Sequence, residues 1–322
     1  MSFLLLLLFL MLISVGVRRR MEGFSLEITV FLRGVMALLV LYHHMGGISD
    51  NWGIQTACGR YAVAFFFFLS GYGLMLGYGK MGERYLDGFV HKRLVKILVP
   101  YGLAVCVSCA MKWNEYGVAQ FWENVLTGES VVSYGYFVEA LLALYCCFYA
   151  MMRAFGKLYG PWMIVPSTLS LGAMFFLWNW NAHWYISLLG FPTGVLVCRY
   201  ENCMRRYFAL SVSGVVVALL LIVLVRTTCE GLNNALLCFA LLIVPTFCIT
   251  LYFLTSYLMI RKLSPLSFVG KISYEIYIYQ GFVFSLCYTV FGPVHWLFVA
   301  LLCVVVALFF NRINGKLIGL LS

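Results

Sequence analysis

The chain reads as an all-α protein, a polytopic bundle of transmembrane helices, and three observations predict this. Of its 322 residues, 63% are hydrophobic and only 11% charged, where soluble domains carry about 25% charged residues. Apolar stretches of membrane length recur along the sequence, separated by short polar breaks. Lysine and arginine also fall overwhelmingly to one side of those stretches, as the positive-inside rule requires of a membrane protein.

The apolar runs predict helices at 26–46, 61–79, 94–111, 134–152, 162–178, 184–198, 207–225, 235–258, 272–290 and 294–311, about ten spans. The segments 162–178 and 184–198 lie near or below the lower limit of about 17 residues for a full crossing. No stretch is long and polar enough to fold as a soluble domain, so 21–322 reads as a single membrane domain. Residues 1–20, SFLLLLLFLMLISVGV followed by three arginines, have an apolar core but no charged region before it, which a secretory signal needs. Two readings fit: an extra span with its N-terminus outside, or a true start at Met21, where MEGFSLEITVFLRG follows.

With the N-terminus of the 26–46 helix placed in the cytoplasm, 19 of the 22 Lys and Arg residues lie inside, leaving Arg60, Lys112 and Arg226 outside. The net charge of +10 is therefore a topology signal and implies no nucleic-acid partner. The 12 cysteines are scattered, mostly within apolar runs and without metal-ligand spacing, so packing explains them and no metal site is expected. Cys58 and Cys229 both fall on the outer side, but sequence does not show that they meet.

Ionisable groups inside a spanning helix are costly and generally face the protein interior. Arg33 and His44 stand 11 positions apart in FLRGVMALLVLYHHM, about three turns, which places them on one stripe roughly 16 Å apart along the axis. His44 lies near the outer boundary. Its near-neutral pKa suits it to take a proton from a hydroxyl, and Asp50 lies close enough in sequence to orient it. A histidine at a helix end also simply reaches water, the reading preferred for neighbouring His43. Arg33 either snorkels to the inner headgroups or points inward at an anionic or carbonyl group. Glu139, about 8 Å into the 134–152 helix, either pairs with a base or lines a wet cavity, and a Glu139–His44 neighbourhood is expected.

In HKRLVKILVPY, Arg93 and Lys96 are three apart and neighbour each other on a helix surface. They can hold phosphate, although every cytoplasmic loop attracts basic residues. FFFFLSGYG at 65–73 ends in small residues that permit close helix packing. GKISYEIYIYQ at 270–280 places tyrosines at an interface and Gln280 deeper, where a lone amide in lipid wants a partner. No phosphate loop, His-Glu-x-x-His or Gly-x-Ser-x-Gly elbow is present.

Taken in order over about residues 24–312, these segments resemble the acyltransferase-3 family of integral membrane O-acyltransferases. The basic residue, ten residues and then His are Arg33 and His44. The FFFFLSGYG block follows, then the basic-x-x-basic pair Arg93 and Lys96 before Pro100 and Tyr101. YFVEALLALY, GFPTGVLVCRY and GKISYEIYIYQ complete the series.

The resemblance implies transfer of an acyl group, commonly acetyl, from acetyl-coenzyme A to a hydroxyl. The acceptor would be a glycan, such as an exopolysaccharide or cell-envelope polymer, a lipid-linked saccharide or an antibiotic. His44 would be the essential histidine, Arg33 its partner, and Arg93, Lys96 and Tyr101 part of the donor site. The protein would be multi-pass in a bacterial cytoplasmic membrane, with its C-terminus cytoplasmic. Lys96 departs from the family's usual arginine, losing fork geometry but not charge. Gln280 stands where the family often has His, which removes an acid/base role there.

On this reading coenzyme A docks from the cytoplasm, its arm passes Arg33, and His44 activates a hydroxyl arriving from outside. The acceptor would meet outer loops 47–60, 112–133, 179–183 and 226–234. Trp52, Trp113, Trp122 and Trp180 either stack on sugar or anchor the interface. The rival reading is a transporter or flippase for a lipid-linked saccharide, which would also bury Arg, His and Glu but need no acyl donor.

Overall fold

The computed structural model describes residues 3–17, 24–46, 55–111, 123–124, 126–206, 239–261, 264–292 and 295–321. The expected helix 207–225, the start of the one expected at 235–258, Asp50, Trp52, Trp113, Trp122 and Cys229 lie outside these residues.

Helix dominates what is described. The elements are α1 (Phe3–Ser14), β1 (Val15–Val17), α2 (Leu26–Gly46), α3 (Gln55–Met81), a π turn (Val90–Leu94) leading into α4 (Val95–Met111), α5 (Tyr136–Leu177), α6 (Gly190–Arg199), α7 (Glu201–Arg206), α8 (Val244–Thr255), β2 (Leu258–Ile260), α9 (Pro265–Lys271), α10 (Ser273–Phe291) and α11 (Trp296–Leu321). Five helices among the described residues are long and apolar enough to cross a membrane.

Several elements depart from the pattern the sequence predicts. The helices expected at 134–152 and 162–178 are one 42-residue run, α5, broken at Gly156, whose φ of 63° no helix interior adopts. Unbroken, it would be about 63 Å long, roughly twice a bilayer's hydrocarbon core. The break yields two arms of membrane length. The segment expected at 184–198 opens as a 3-10 turn, Ala182–Trp184, and becomes α-helical only over the 10 residues of α6. The apolar N-terminus forms a 12-residue helix, α1, shorter than the roughly 17 residues of a full span. It then continues as β1, which pairs antiparallel with β2.

Two compact units can be distinguished: residues 1–62, 90–139 and 256–322, and residues 63–89 and 140–255. In the first, α2 and α9 touch backbone to backbone. A Cβ added at Gly34 would lie 1.9 Å from the Leu266 carbonyl oxygen, and one at Gly270 would lie 1.8 Å from that of Val30. Only glycine on both helices allows this approach. Helix α9 starts cleanly because Ser264 caps it, accepting from the Ser267 amide at 3.2 Å, with Pro265 at its first position. Helix α10 lies against α4, where Tyr274 donates to the Ile97 carbonyl at 2.9 Å. It also lies against α11, where Tyr279 stacks on Phe310 at 3.9 Å between centroids and Asn314 donates to the buried Glu275 at 3.3 Å.

The second unit repeats the device. In the Gly-x-x-x-Gly of α6, a Cβ at Gly190 or Gly194 would meet the carbonyl oxygens of Ala64 or Phe68 on α3 at 2.1 Å. Glu201 gathers three partners, accepting from Tyr252 at 2.7 Å and Tyr72 at 3.1 Å and pairing with Arg205 one turn on.

Gly34→Ala and Gly270→Ala should each lower the melting temperature of the purified protein, by the equivalent of about 1–3 kcal/mol or more, because overpacked cores must shift backbone. Gly79→Ala is the matched control, since nothing lies within 4 Å of its new Cβ. It should be neutral or stabilising by about 0.5–1 kcal/mol.

Candidate active site

All six candidate residues from the sequence, Arg33, His44, Arg93, Lys96, Tyr101 and Glu139, fall in the first unit. Helix α2 carries the first two. Between Ile28 and Gly46 every residue of α2 is buried or half-buried except Arg33, which is exposed. Along the stripe from Arg33 to His44, Met36, Ala37, Val40 and Leu41 are each at most 3% exposed.

His44 is half-buried at the other end of the stripe. Its ring stacks on Tyr134, with centroids 3.8 Å apart and an interplanar angle of 30°. His43 lies 4.8 Å from it and packs on Gly59, where a Cβ would meet the imidazole at 2.4 Å.

Tyr134 adopts φ 68°, a left-handed conformation rare for an aromatic residue. Such strain costs about 1–3 kcal/mol and persists only where neighbours over-determine it. Here Tyr277 of α10 donates to the Tyr134 carbonyl at 2.8 Å, Phe284 meets its ring edge-on at 6.3 Å, and Gly281 lets Ser133 approach the helix backbone. Burial pushes the Tyr134 phenol above its ordinary pKa, so it stays protonated.

Glu139 does not pair with His44. Its carboxylate accepts from Tyr101 and, at 2.7 Å, from Ser130, while Tyr101 and Ser130 are themselves 3.2 Å apart. The acid thus fixes the Tyr101 hydroxyl and the start of the 130–135 turn. That same turn presents Tyr134 to His44, so the link from acid to imidazole runs through the turn and is not a direct contact.

Arg93 and Lys96 are both exposed at the mouth of α4. Arg93 lies in the π turn Val90–Leu94 and Lys96 in the first α-helical turn. A π turn is a local widening that is frequent at functional sites. The other half-buried histidine of note, His183, belongs to the second unit. Burial alone lowers its pKa to about 4, so it is neutral across the physiological range.

Sequence reasoning missed Tyr134, Ser130 and Tyr277. The available signal was the glycine-flanked turn GESVVSYGY, where Gly128 and Gly135 bracket the aromatic residue.

Residues 30–310 match the model of the acyltransferase-3 family, described as an acyltransferase domain. The chain belongs to the acyltransferase-3 family. The matched span contains all six candidates and the Tyr134 turn. As a member carrying several apolar helices of membrane length, this acyltransferase is a membrane protein. No curated protein and no solved structure matches the chain.

Tyr134→Phe should preserve activity, because the stack and the backbone bond remain. Tyr134→Gly should relieve the backbone strain yet lower the turnover number at least tenfold by freeing the His44 ring. Acyl-transfer assays on both variants, with melting temperatures measured alongside, separate stacking from strain.

Proposed function

We propose that this chain moves an acyl group, commonly acetyl in its family, from acyl-coenzyme A to a hydroxyl of a glycan or lipid-linked saccharide, with His44 as general base. The observation that carries the reading is the placement on α2. An exposed cation shares one stripe of α2, across a buried run of residues, with an imidazole stacked on a strained aromatic residue.

The imidazole takes the proton of the acceptor hydroxyl as its oxygen attacks the thioester carbon. The tetrahedral intermediate then collapses, the carbon–sulfur bond breaks, and the coenzyme A thiolate leaves with the proton returned by the imidazolium. General-base assistance of this kind is worth about 10²–10⁴ in rate. Tyr134 holds the ring on its face, and its protonated phenol does not compete for the hydroxyl proton. Arg33, exposed on the same stripe, would attract the anionic donor or polarise its carbonyl.

Donor phosphates suit Arg93 and Lys96, which present two cations at the exposed entry to α4, with the Glu139–Tyr101 pair bracing the same helix further in. Coenzyme A is made in the cytoplasm, which agrees with the inward placement of these cations under the positive-inside rule. In this reading the chain has about ten spans, a cytoplasmic C-terminus and an outward-facing acceptor site in a bacterial cytoplasmic membrane.

His44→Ala should abolish acyl transfer from acetyl-coenzyme A while leaving membrane abundance unchanged, as followed by thiol release and quantitative blotting. Retained turnover would overturn the assignment, and saccharide movement without chemical change would overturn the reaction class. Replacing both Arg93 and Lys96 by Ala should raise the donor KM more than tenfold with a smaller change in the turnover number. Lys96→Arg should lower that KM, since a guanidinium grips phosphate in two places.

A further inference from the structure

Helix α10 buries three polar side chains besides its tyrosines, and two of them are satisfied. Ser273 donates to the Gly270 carbonyl at 3.0 Å, and Glu275 accepts from Asn314. The third, Gln280, is 1% exposed, and neither its Nε2 nor its Oε1 has a hydrogen-bond partner among the described residues. A buried carboxamide with both ends unmet is costly, and native proteins rarely keep one without a use for it.

Its position narrows the use. Tyr277, Gln280, Gly281 and Phe284 lie on one stripe of α10 by helical spacing. The flanking members of that stripe hold the turn on which His44 stacks. Gln280 is six residues beyond Tyr274, which bonds the carbonyl next to Lys96, and four residues before Phe284. It therefore stands about 9 Å along the helix from Tyr274 and level with Tyr134, which Tyr277 and Phe284 contact from either side of it. A molecule anchored by its phosphates at Lys96 and reacting at His44 would run past it.

The chemistry of the group narrows it further. Phosphate, carboxylate and a thioester carbonyl only accept hydrogen bonds, and each would leave Oε1 unmet. A secondary amide both donates and accepts, and the pantetheine arm of coenzyme A carries two.

We propose that Gln280 is a donor-binding residue, its Nε2 donating to the carbonyl of one pantetheine amide and its Oε1 accepting from the N–H of the other. The assignment rests on the acyl-coenzyme A reading above. A sugar hydroxyl also donates and accepts, so the experiment must separate donor from acceptor.

The test uses the full-length protein in detergent, with Gln280→Leu and, as a second unbranched variant, Gln280→Met. Without ligand both should melt higher than wild type, by about 2–4 °C, because two unmet buried polar atoms are gone. Affinity for acetyl-coenzyme A should fall about tenfold or more, as expected for the loss of two ordinary hydrogen bonds. Affinity for adenosine 3′,5′-bisphosphate, which lacks the arm, should not change. Arg93→Ala, by contrast, should weaken both ligands. Unchanged acetyl-coenzyme A affinity in the Leu and Met variants, with wild type binding normally, overturns the Gln280 assignment alone. An equal loss for both ligands overturns it too, since the effect would not lie at the arm. Failure of the wild type to bind acetyl-coenzyme A overturns the donor reading itself.

Discussion

The site depends on the crossing of α2 over α9. Where Gly34 meets Leu266 and Gly270 meets Val30, backbone touches backbone, and no side chain intervenes to act as a cushion. Neither helix can turn about its axis without driving a Cα into a carbonyl. Arg33 is the residue next to that contact, so its direction is set by its neighbour's lack of a side chain. Eleven residues later the helix has turned to within about 20° of the same line, and His44 inherits the direction. Rigid packing of this kind favours discrete arrangements over gradual deformation, which the proposed general-base role of His44 would need.

Helix α10 then links the two ends of the site. Its early tyrosine holds α4 beside Lys96, its middle holds the 130–135 turn, and its far side is braced by α11. The polar contacts on its faces account for the three tyrosines and the glutamate among its first eight residues, whereas Gln280 makes none among the described residues.

Much of this was legible beforehand, and what was not has identifiable causes. The expected helix at 26–46 coincides with Leu26–Gly46, and 272–290 differs by one residue at each end from Ser273–Phe291. In both cases an apolar run is bounded by polar residues. The stripe shared by Arg33 and His44 follows from helical period alone, and the unusual character of Gln280 follows from amide chemistry in lipid.

Other features were hidden because they are long-range. Glu139 finds Tyr101, 38 positions away, and not His44. Tyr134 matters only because α10 arrives to hold its turn. The π turn before α4 and the continuity of α5 were invisible because they depend on backbone angles at a few residues. The apolar N-terminus gains its strand only by finding Leu258–Ile260 far along the chain.

The break in α5 has one more consequence, for the charges beside it. A helix ending at residue 155 leaves its last carbonyls without intrahelical donors, and the partial negative charge of the peptide dipoles accumulates there. Arg153 lies in that final turn and Lys157 just beyond Gly156. Arg153 complements that dipole and lies 3.9 Å from Asp87, and Lys157 adds a second cation just past the break. The bend thus gathers two cations where the first arm ends, a placement that suits contact with anionic lipid headgroups.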